Sequence, residues 1–282
     1  MKKGIISSIF LIIAAIGLSS CSSILKSRGL HPDYDGQTFN LNGKKALIVT
    51  TSHGVLSKPG ETSGDSTGVF GSEMTIPYYE FQDANMEVHV ASIKGGLIPI
   101  DPKSFKKAII SPEDKRYLAD EIFQEKTKKS IPVFEIDFKD YDVVFFAGGW
   151  GAAYDLGSME LGEKVSDAYY HSDVIFGSVC HGALAFTTAK DTTGEYLIKG
   201  RTMTGVTQSQ LDQLNIEFTP LHPEEELKKA GADYQCSTGR RDFFETLTVV
   251  DQEKRFVTGQ NQNSGHETSQ EILKLVKNNP NK

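Results

Sequence analysis

Four short apolar segments, separated by stretches of helical character, constrain this 282-residue chain most strongly. They lie at 46–51, 87–92, 141–147 and 174–179 and are mostly apolar along their length. Strands buried on both faces are typical of a parallel sheet that helices cover on both sides. Helical patterns follow at 72–84, 111–126, 156–171 and 268–278, with a hairpin over 247–258. We therefore predict an α/β fold with a mostly parallel sheet sandwiched by helices.

The first twenty residues have the features of a secretion signal rather than of a domain. A positive start is followed by an apolar run at 5–18, which is too short to cross a membrane comfortably, and then by Leu18-Ser19-Ser20-Cys21. This order resembles a bacterial lipobox, in which the cysteine is lipidated. We expect a signal peptide at 1–20, a tether at 21–43 and a domain at 44–282. The alternatives are an ordinary cleaved signal and a membrane span.

Lipidation of Cys21 would hold the protein in the cell envelope, on the periplasmic side of the outer membrane if the host has one. The net charge of −7 argues against nucleic acid as a partner. Cys180 and Cys236 could pair, but we favour two free thiols. Because no His or Cys cluster has zinc-like spacing, we predict no metal site.

Cys180 follows the apolar segment 174–179 and precedes His181, Gly182 and a run of small residues. A strand, a sharp turn and a helix in this order lift a nucleophile above a parallel sheet. The helix end would favour a thiolate. A buried structural cysteine is the alternative.

Two other predicted strands also end in residues suited to a site. His53 follows the first strand, and Gly148, Gly149 and Trp150 follow the third. Sites in such sheets form at the carboxyl ends of the strands, so we expect these residues and Cys180 to share one rim. His53 would line the pocket there or serve the structure.

An ordered series of segments resembles one known family. The matching segments are 67–73 and 77–81, 88–104, 142–156, 179–182, 225–232 and 257–261. On this basis the chain resembles the DJ-1/PfpI superfamily, and within it the Hsp31 branch. The resemblance implies a flavodoxin-like, class I glutamine amidotransferase-like fold with a nucleophile elbow.

The resemblance assigns the nucleophile to Cys180, with Glu73 as an acid that hydrogen-bonds to the sulfur. It makes His181 the histidine beside the cysteine, which orients the substrate or moves protons. The backbone N–H groups of Gly149 and His181 could hold an oxyanion. Trp150 is a departure, because the branch usually has a histidine in that loop.

The resemblance implies a cofactor-independent glyoxalase of the glyoxalase III or D-lactate dehydratase type, which acts on a small carbonyl substrate such as methylglyoxal. Deglycation of amines is a related activity. The alternatives are a holdase chaperone or redox-sensing module, and a peptidase-like or amidase-like hydrolase. The resemblance to the family is also compatible with a homodimer. Asp212 and the run Glu224–Glu226 are weaker candidates for a third acid. The string Gly265-His266-Glu267 gives little support for a glutaminase.

Overall fold

The computed structural model describes residues 36–279, apart from 108, 215, 217 and 240–244. The predicted signal peptide, Cys21 and part of the tether lie outside these residues. Within the described ranges, no helix has the length and apolar character needed to cross a membrane.

Eleven strands and eight α-helices are present in the described part of the chain. The strands are β1 (Lys45–Thr50), β2 (Val55–Ser57), β3 (Gly64–Ser66), β4 (Glu87–Ser92), β5 (Ile131–Pro132), β6 (Val143–Phe146), β7 (Ile175–Val179), β8 (Thr202–Met203), β9 (Asp233–Tyr234), β10 (Thr248–Val250) and β11 (Phe256–Gly259). The helices are α1 (Gly71–Asp83), α2 (Pro112–Ala119), α3 (Glu121–Lys128), α4 (Ala152–Asp155), α5 (Met159–His171), α6 (Gln208–Gln213), α7 (Pro223–Lys229) and α8 (Gly265–Asn278).

Seven of the strands form one sheet in the order β10-β11-β7-β6-β1-β4-β5. All neighbouring pairs are parallel except β10 with β11. The predicted parallel α/β sheet is therefore confirmed. Because β1, β6 and β7 are adjacent and parallel, their carboxyl ends meet at one edge of the sheet.

The central strands β1, β6 and β7 are mostly apolar because both faces of the sheet are buried. In β1, Leu47 and Val49 belong to one apolar core, and Ala46 and Ile48 belong to the other. Successive side chains of a strand point to opposite faces, so this alternation places one core on each side. The prediction from continuous apolar segments rests on this two-sided burial.

The predicted helix 72–84 corresponds to α1, which begins one residue earlier. Phe70 occupies the N-cap position, and no side chain caps the helix. The helix also continues through Pro77, although proline removes one backbone N–H donor. Ten of its thirteen residues are buried, so packing on its surroundings holds the helix together despite the proline.

The predicted helix 111–126 begins as expected but is divided in two. Ser111 Oγ accepts from the Asp114 N–H at 2.8 Å, and Asp114 Oδ2 accepts from the Ser111 N–H at 3.0 Å. This capping box confirms the predicted start. The division lies at Asp120, whose side chain accepts from the Phe123 N–H and begins α3.

A half-buried histidine connects the last helix to the first two. His266 Nδ1 lies 2.7 Å from Glu80 Oε1, and its Nε2 lies 3.6 Å from Glu113 Oε1. Burial lowers the pKa of His266, but hydrogen bonds and charge attraction from Glu113 and Glu80 outweigh it and raise the pKa to about 9. The charged imidazolium therefore joins α8 to α1 and α2 at neutral pH.

The contribution of the His266 charge to the free energy of unfolding should change with pH. The pKa of His266 in the folded state exceeds its ordinary value of 6.5, so its contribution is full below pH 6.5 and is lost as the pH rises through 9. We expect His266→Gln to lower the free energy of unfolding by about 1–3 kcal/mol at pH 6 and by much less at pH 10. Urea unfolding at both values would measure this. His171→Gln is the control, because that imidazole pairs with Asp167 on the surface. An equal loss at both pH values would contradict the assignment.

Candidate active site

Cys180 lies at the turn that ends β7. Its φ angle is +58°, a left-handed conformation that non-glycine residues adopt only at an energetic cost of about 1–3 kcal/mol. A 3₁₀ helix over Cys180–Phe186 follows, rather than the α-helix that we predicted. The turn redirects the chain at the edge where the strands end, and the thiol stays almost completely buried, with 6% exposed.

Glu73 is the acid beside this thiol. It comes from the first turn of α1, and only 2% of it is exposed. Burial raises the pKa of Glu73 to about 8, although interactions with the Cys180 side chain and with the Gly148 and Gly149 backbone oppose the rise. Among the described residues, no group forms a well-aligned hydrogen bond to its Oε2. The carboxyl group is therefore protonated at neutral pH.

The pKa of the Cys180 thiol is also raised well above its ordinary value. Burial is the main cause, and the Glu73 carboxylate adds repulsion. The backbone N–H groups of His181 and Gly149 interact with the sulfur and partly offset the rise. Our expectation of a thiolate stabilised by the helix end is therefore wrong for the resting site. The same two N–H groups are the predicted oxyanion donors.

His181 packs directly beside the thiol. Its Nδ1 lies 3.4 Å from Cys180 Sγ. Burial and the neighbouring His222 lower the pKa of His181 to about 3, so the ring is neutral. The other nitrogen, Nε2, is buried and has no partner among the described residues. A neutral imidazole with one unengaged nitrogen can accept or donate a proton to a bound molecule.

The Gly148-Gly149 turn follows β6 and brings the backbone close to both groups. Gly149 has a φ of +92°, and a Cβ there would lie 2.3 Å from the Phe70 nitrogen. A Cβ on Gly148 would lie 2.5 Å from Glu73 Oε2. Only glycine permits this approach at either position.

These groups meet at a cavity of about 170 Å³. Its base combines the reactive groups with the loop after β6: Glu73, Gly149, Trp150, Cys180 and His181. Its walls are mostly apolar with four polar side chains: Phe70, Asp101, Lys103, Ile109, Val206, Gln210, Leu214, Ile216 and Gln262. The predicted residues other than Gly148 and His53 thus lie on one cavity.

Trp150 lies over the site. Its ring centroid is 4.9 Å from that of His181, with the planes inclined at 63°. The indole therefore packs on the imidazole in an edge-to-face contact. It supplies no group that could transfer a proton to the thiol.

The comparisons with known proteins agree with this geometry. The sequence pattern of the DJ-1/PfpI family matches residues 66–275, which is well over half of the chain. The chain belongs to the DJ-1/PfpI family. Among solved structures, Rapid Encystment Protein 24 kDa of Francisella tularensis has a TM-score of 0.74 at 30% identity, over 83% of this chain and 99% of that one.

Two further relatives of this DJ-1/PfpI chain are fungal. "Glyoxalase 3" of Candida albicans is 29% identical over 81% of this chain and 97% of its own length. The crystal structure of glyoxalase III from that organism has a TM-score of 0.72 at 28% identity, over 82% and 96% of the two chains. "Glutathione-independent glyoxalase HSP31" of Saccharomyces cerevisiae is 27% identical over 83% and 99%. These similarities support the predicted relationship to the Hsp31 branch.

Other residues singled out in the sequence do not line the cavity. His53 stacks on Tyr154 with centroids 3.8 Å apart, and its Nε2 lies 2.5 Å from the Val55 carbonyl oxygen. Its interactions therefore fit the structural interpretation and not the pocket-lining one. Among the candidate third acids, Asp212 accepts from Gln208 Nε2, and Glu224 binds Lys228. Neither carboxylate lines the cavity.

The sequence did not point to four polar residues near the site. Gln262 is 8% exposed, lines the cavity and has an unpartnered Nε2. It follows β11, so the rule that sites lie at the carboxyl ends of strands would have included it. Gln210, Lys103 and His222 gave no comparable signal, because they lie on loops or at helix starts away from any predicted strand end.

The described residues hold no group of three or more His, Cys, Asp or Glu side chains that could bind a metal ion. No disulfide joins Cys180 to Cys236, in agreement with the preference for two thiols.

Burial of the ionised Glu73 carboxylate should lower the free energy of unfolding, and a neutral amide in its place should raise it again. The folded-state pKa of about 8 lies above the ordinary 4.5, so the free energy of unfolding falls as the pH rises from 4.5 to 8. We expect Glu73→Gln to raise the free energy of unfolding by roughly 1–3 kcal/mol at pH 8 and by little at pH 4.5. Urea unfolding at both values measures the effect.

Glu113→Gln is the matched control, because the pKa of Glu113 is lowered and His266 binds it, so this variant should be less stable at pH 8. A loss of stability in Glu73→Gln at pH 8 would contradict the assignment.

Proposed function

We propose that this protein converts a 2-oxoaldehyde such as methylglyoxal to a 2-hydroxy acid without glutathione or another cofactor. The observation that carries the proposal is the buried group of Glu73, Cys180 and His181 at one cavity. Relatives with glyoxalase names, aligned over most of the chain, support it. Deglycation of amines would use the same thiol and base.

The reaction needs a nucleophile, a base and an oxyanion site. Cys180 Sγ bonds to the aldehyde carbon, and the carbonyl electron pair moves to its oxygen. The N–H groups of Gly149 and His181, which interact with the sulfur, would stabilise that oxygen. The thiol proton passes to ionised Glu73 or to His181, and protonation of the oxygen gives a hemithioacetal.

A proton then leaves the former aldehyde carbon, and the electron pair forms an enediol with its neighbour. Return of a proton to the neighbouring carbon leaves an alcohol there and a thioester at the sulfur. Water cleaves the thioester and restores the thiol. One carbon is oxidised and the adjacent one is reduced, so no external oxidant or reductant is needed. Glu73 or His181 would move the proton, because both side chains line the cavity beside Cys180.

The geometry gives less support to the other functions. A redox sensor needs an accessible thiol of low pKa, whereas Cys180 is buried and its pKa is raised. A glutaminase would need a late histidine near the thiol. His266 instead binds Glu80 and Glu113 between helices and does not line the cavity.

The proposal is tested by incubation with methylglyoxal in the absence of glutathione. We expect lactate to form, with kcat/KM rising as the pH passes about 8 and Glu73 ionises. Cys180→Ala should abolish the activity, and Cys236→Ala, which removes an exposed thiol, is the control. Lactate formation by Cys180→Ala at the wild-type rate would refute the assignment of Cys180 as the nucleophile.

We further propose that a lipid on Cys21 attaches the protein to a membrane of the cell envelope. The basic start, the apolar run and the Ser-Ser-Cys sequence support this proposal. The domain begins only about twenty residues after Cys21, so the cavity would remain close to the membrane surface. A homodimer also remains a proposal, based on the family.

The anchor can be tested by metabolic labelling with an alkyne fatty acid. Wild type and Cys236→Ser should carry the label, and Cys21→Ser should lose it because the only predicted acceptor is absent. Retention of the label by Cys21→Ser would rule out this site.

A further inference from the structure

The cavity at Cys180 adjoins a second cavity, which we call the outer chamber. The outer chamber measures about 300 Å³, and Lys103, Leu214 and Ile216 line both spaces. A bound water needs only roughly 10–15 Å³ of such space. The two cavities together therefore offer more room than the five non-hydrogen atoms of methylglyoxal require.

Lys103 is the cation at the junction of the two spaces. Its side chain is half-buried, and no described acid or carbonyl is a partner of its Nζ. Its main chain is held in place, because the Lys103 N–H donates to Asp101 Oδ1 at 2.8 Å and Ser104 Oγ accepts from the Gly71 N–H at 2.8 Å. A fixed backbone with an unengaged ammonium group is suited to binding an anion that enters from the cavity.

The charges nearby leave this ammonium available. Asp101 is buried, and its two oxygens already accept from Thr67 Oγ1 and the Lys103 N–H. The described lining of the outer chamber contains two lysines, Lys58 and Lys103, and one acid, Asp65. The remainder is mostly apolar, which strengthens a charge pair by lowering the local dielectric constant.

We propose that the site takes 2-oxoaldehydes that carry an anionic group at the end away from the aldehyde, and that Lys103 binds that group. This inference rests on the proposed function. The aldehyde would lie at Cys180, the carbon chain would cross the apolar walls, and the anion would meet Lys103 at the junction. The chemistry at the sulfur is unchanged, because the anionic tail takes no part in it.

The experiment compares 4,5-dioxopentanoate, which has a carboxylate tail, with 2-oxopentanal, a neutral 2-oxoaldehyde with the same number of carbons. We expect wild type to have the higher kcat/KM for 4,5-dioxopentanoate, with the difference decreasing at high ionic strength. Lys103→Met should reduce the ratio of the two kcat/KM values about tenfold, and Lys103→Arg should retain most of it. Lys106→Met, an exposed lysine in the same loop, controls for the loss of one positive charge.

A binding measurement keeps this inference separate from the proposed function. The chain's single tryptophan, Trp150, lines the cavity, so its fluorescence can follow the binding of unreactive 4-oxopentanoate. Weaker binding of 4-oxopentanoate to Lys103→Met than to wild type would support the anion site. If no 2-oxoaldehyde were turned over at the same time, the glyoxalase proposal would be refuted and the anion site would stand. Two results would refute the anion site alone, provided that methylglyoxal is turned over. One is a ratio of kcat/KM for 4,5-dioxopentanoate to that for 2-oxopentanal that is unchanged in Lys103→Met. The other is a wild-type preference for 2-oxopentanal.

Discussion

The contact between the Glu73 carboxyl and the Cys180 thiol is the constraint on which the site depends. It joins the start of α1 to the end of β7, and it places two acidic groups where neither is solvated. A left-handed residue at Cys180 and two glycines at 148–149 are needed to let these elements approach. Conformational strain and burial both raise the energy of the folded state here. The two apolar cores on either side of the sheet offset that cost.

The polar groups next to the sulfur are neutral. The His181 ring is uncharged, and the Glu73 carboxyl is protonated below about pH 8. Two further lining side chains are the amides of Gln210 and Gln262, while the charged Lys103 lies at the junction with the outer chamber. Neutral groups and apolar walls around the sulfur favour an uncharged carbonyl there. The thiol can lose its proton when the aldehyde accepts the electron pair, so a permanent thiolate is not required.

Much of the fold could be predicted because strands buried on both faces produce apolar segments that need no tertiary information. The same rule placed Gly149, Trp150 and Cys180 at one edge. It left the role of His53 open, because a position three residues after a strand does not fix the direction of a side chain. It also could not predict the direction of the Cys180 pKa shift. That shift depends on the burial of the thiol and on Glu73, which lies about a hundred residues earlier in the chain. Short strands such as β2, β3, β8 and β9 have too few residues to show a period.

The edges of the sheet carry a separate consequence. At one end β5 has two residues, and the second is Pro132, which has no N–H to offer another strand. At the other end, β10 has three residues and runs antiparallel to its neighbour. Edges this short provide few backbone groups on which another chain could add a strand. Any contact between two copies of this chain would therefore use helices and loops, and their sheets would remain separate.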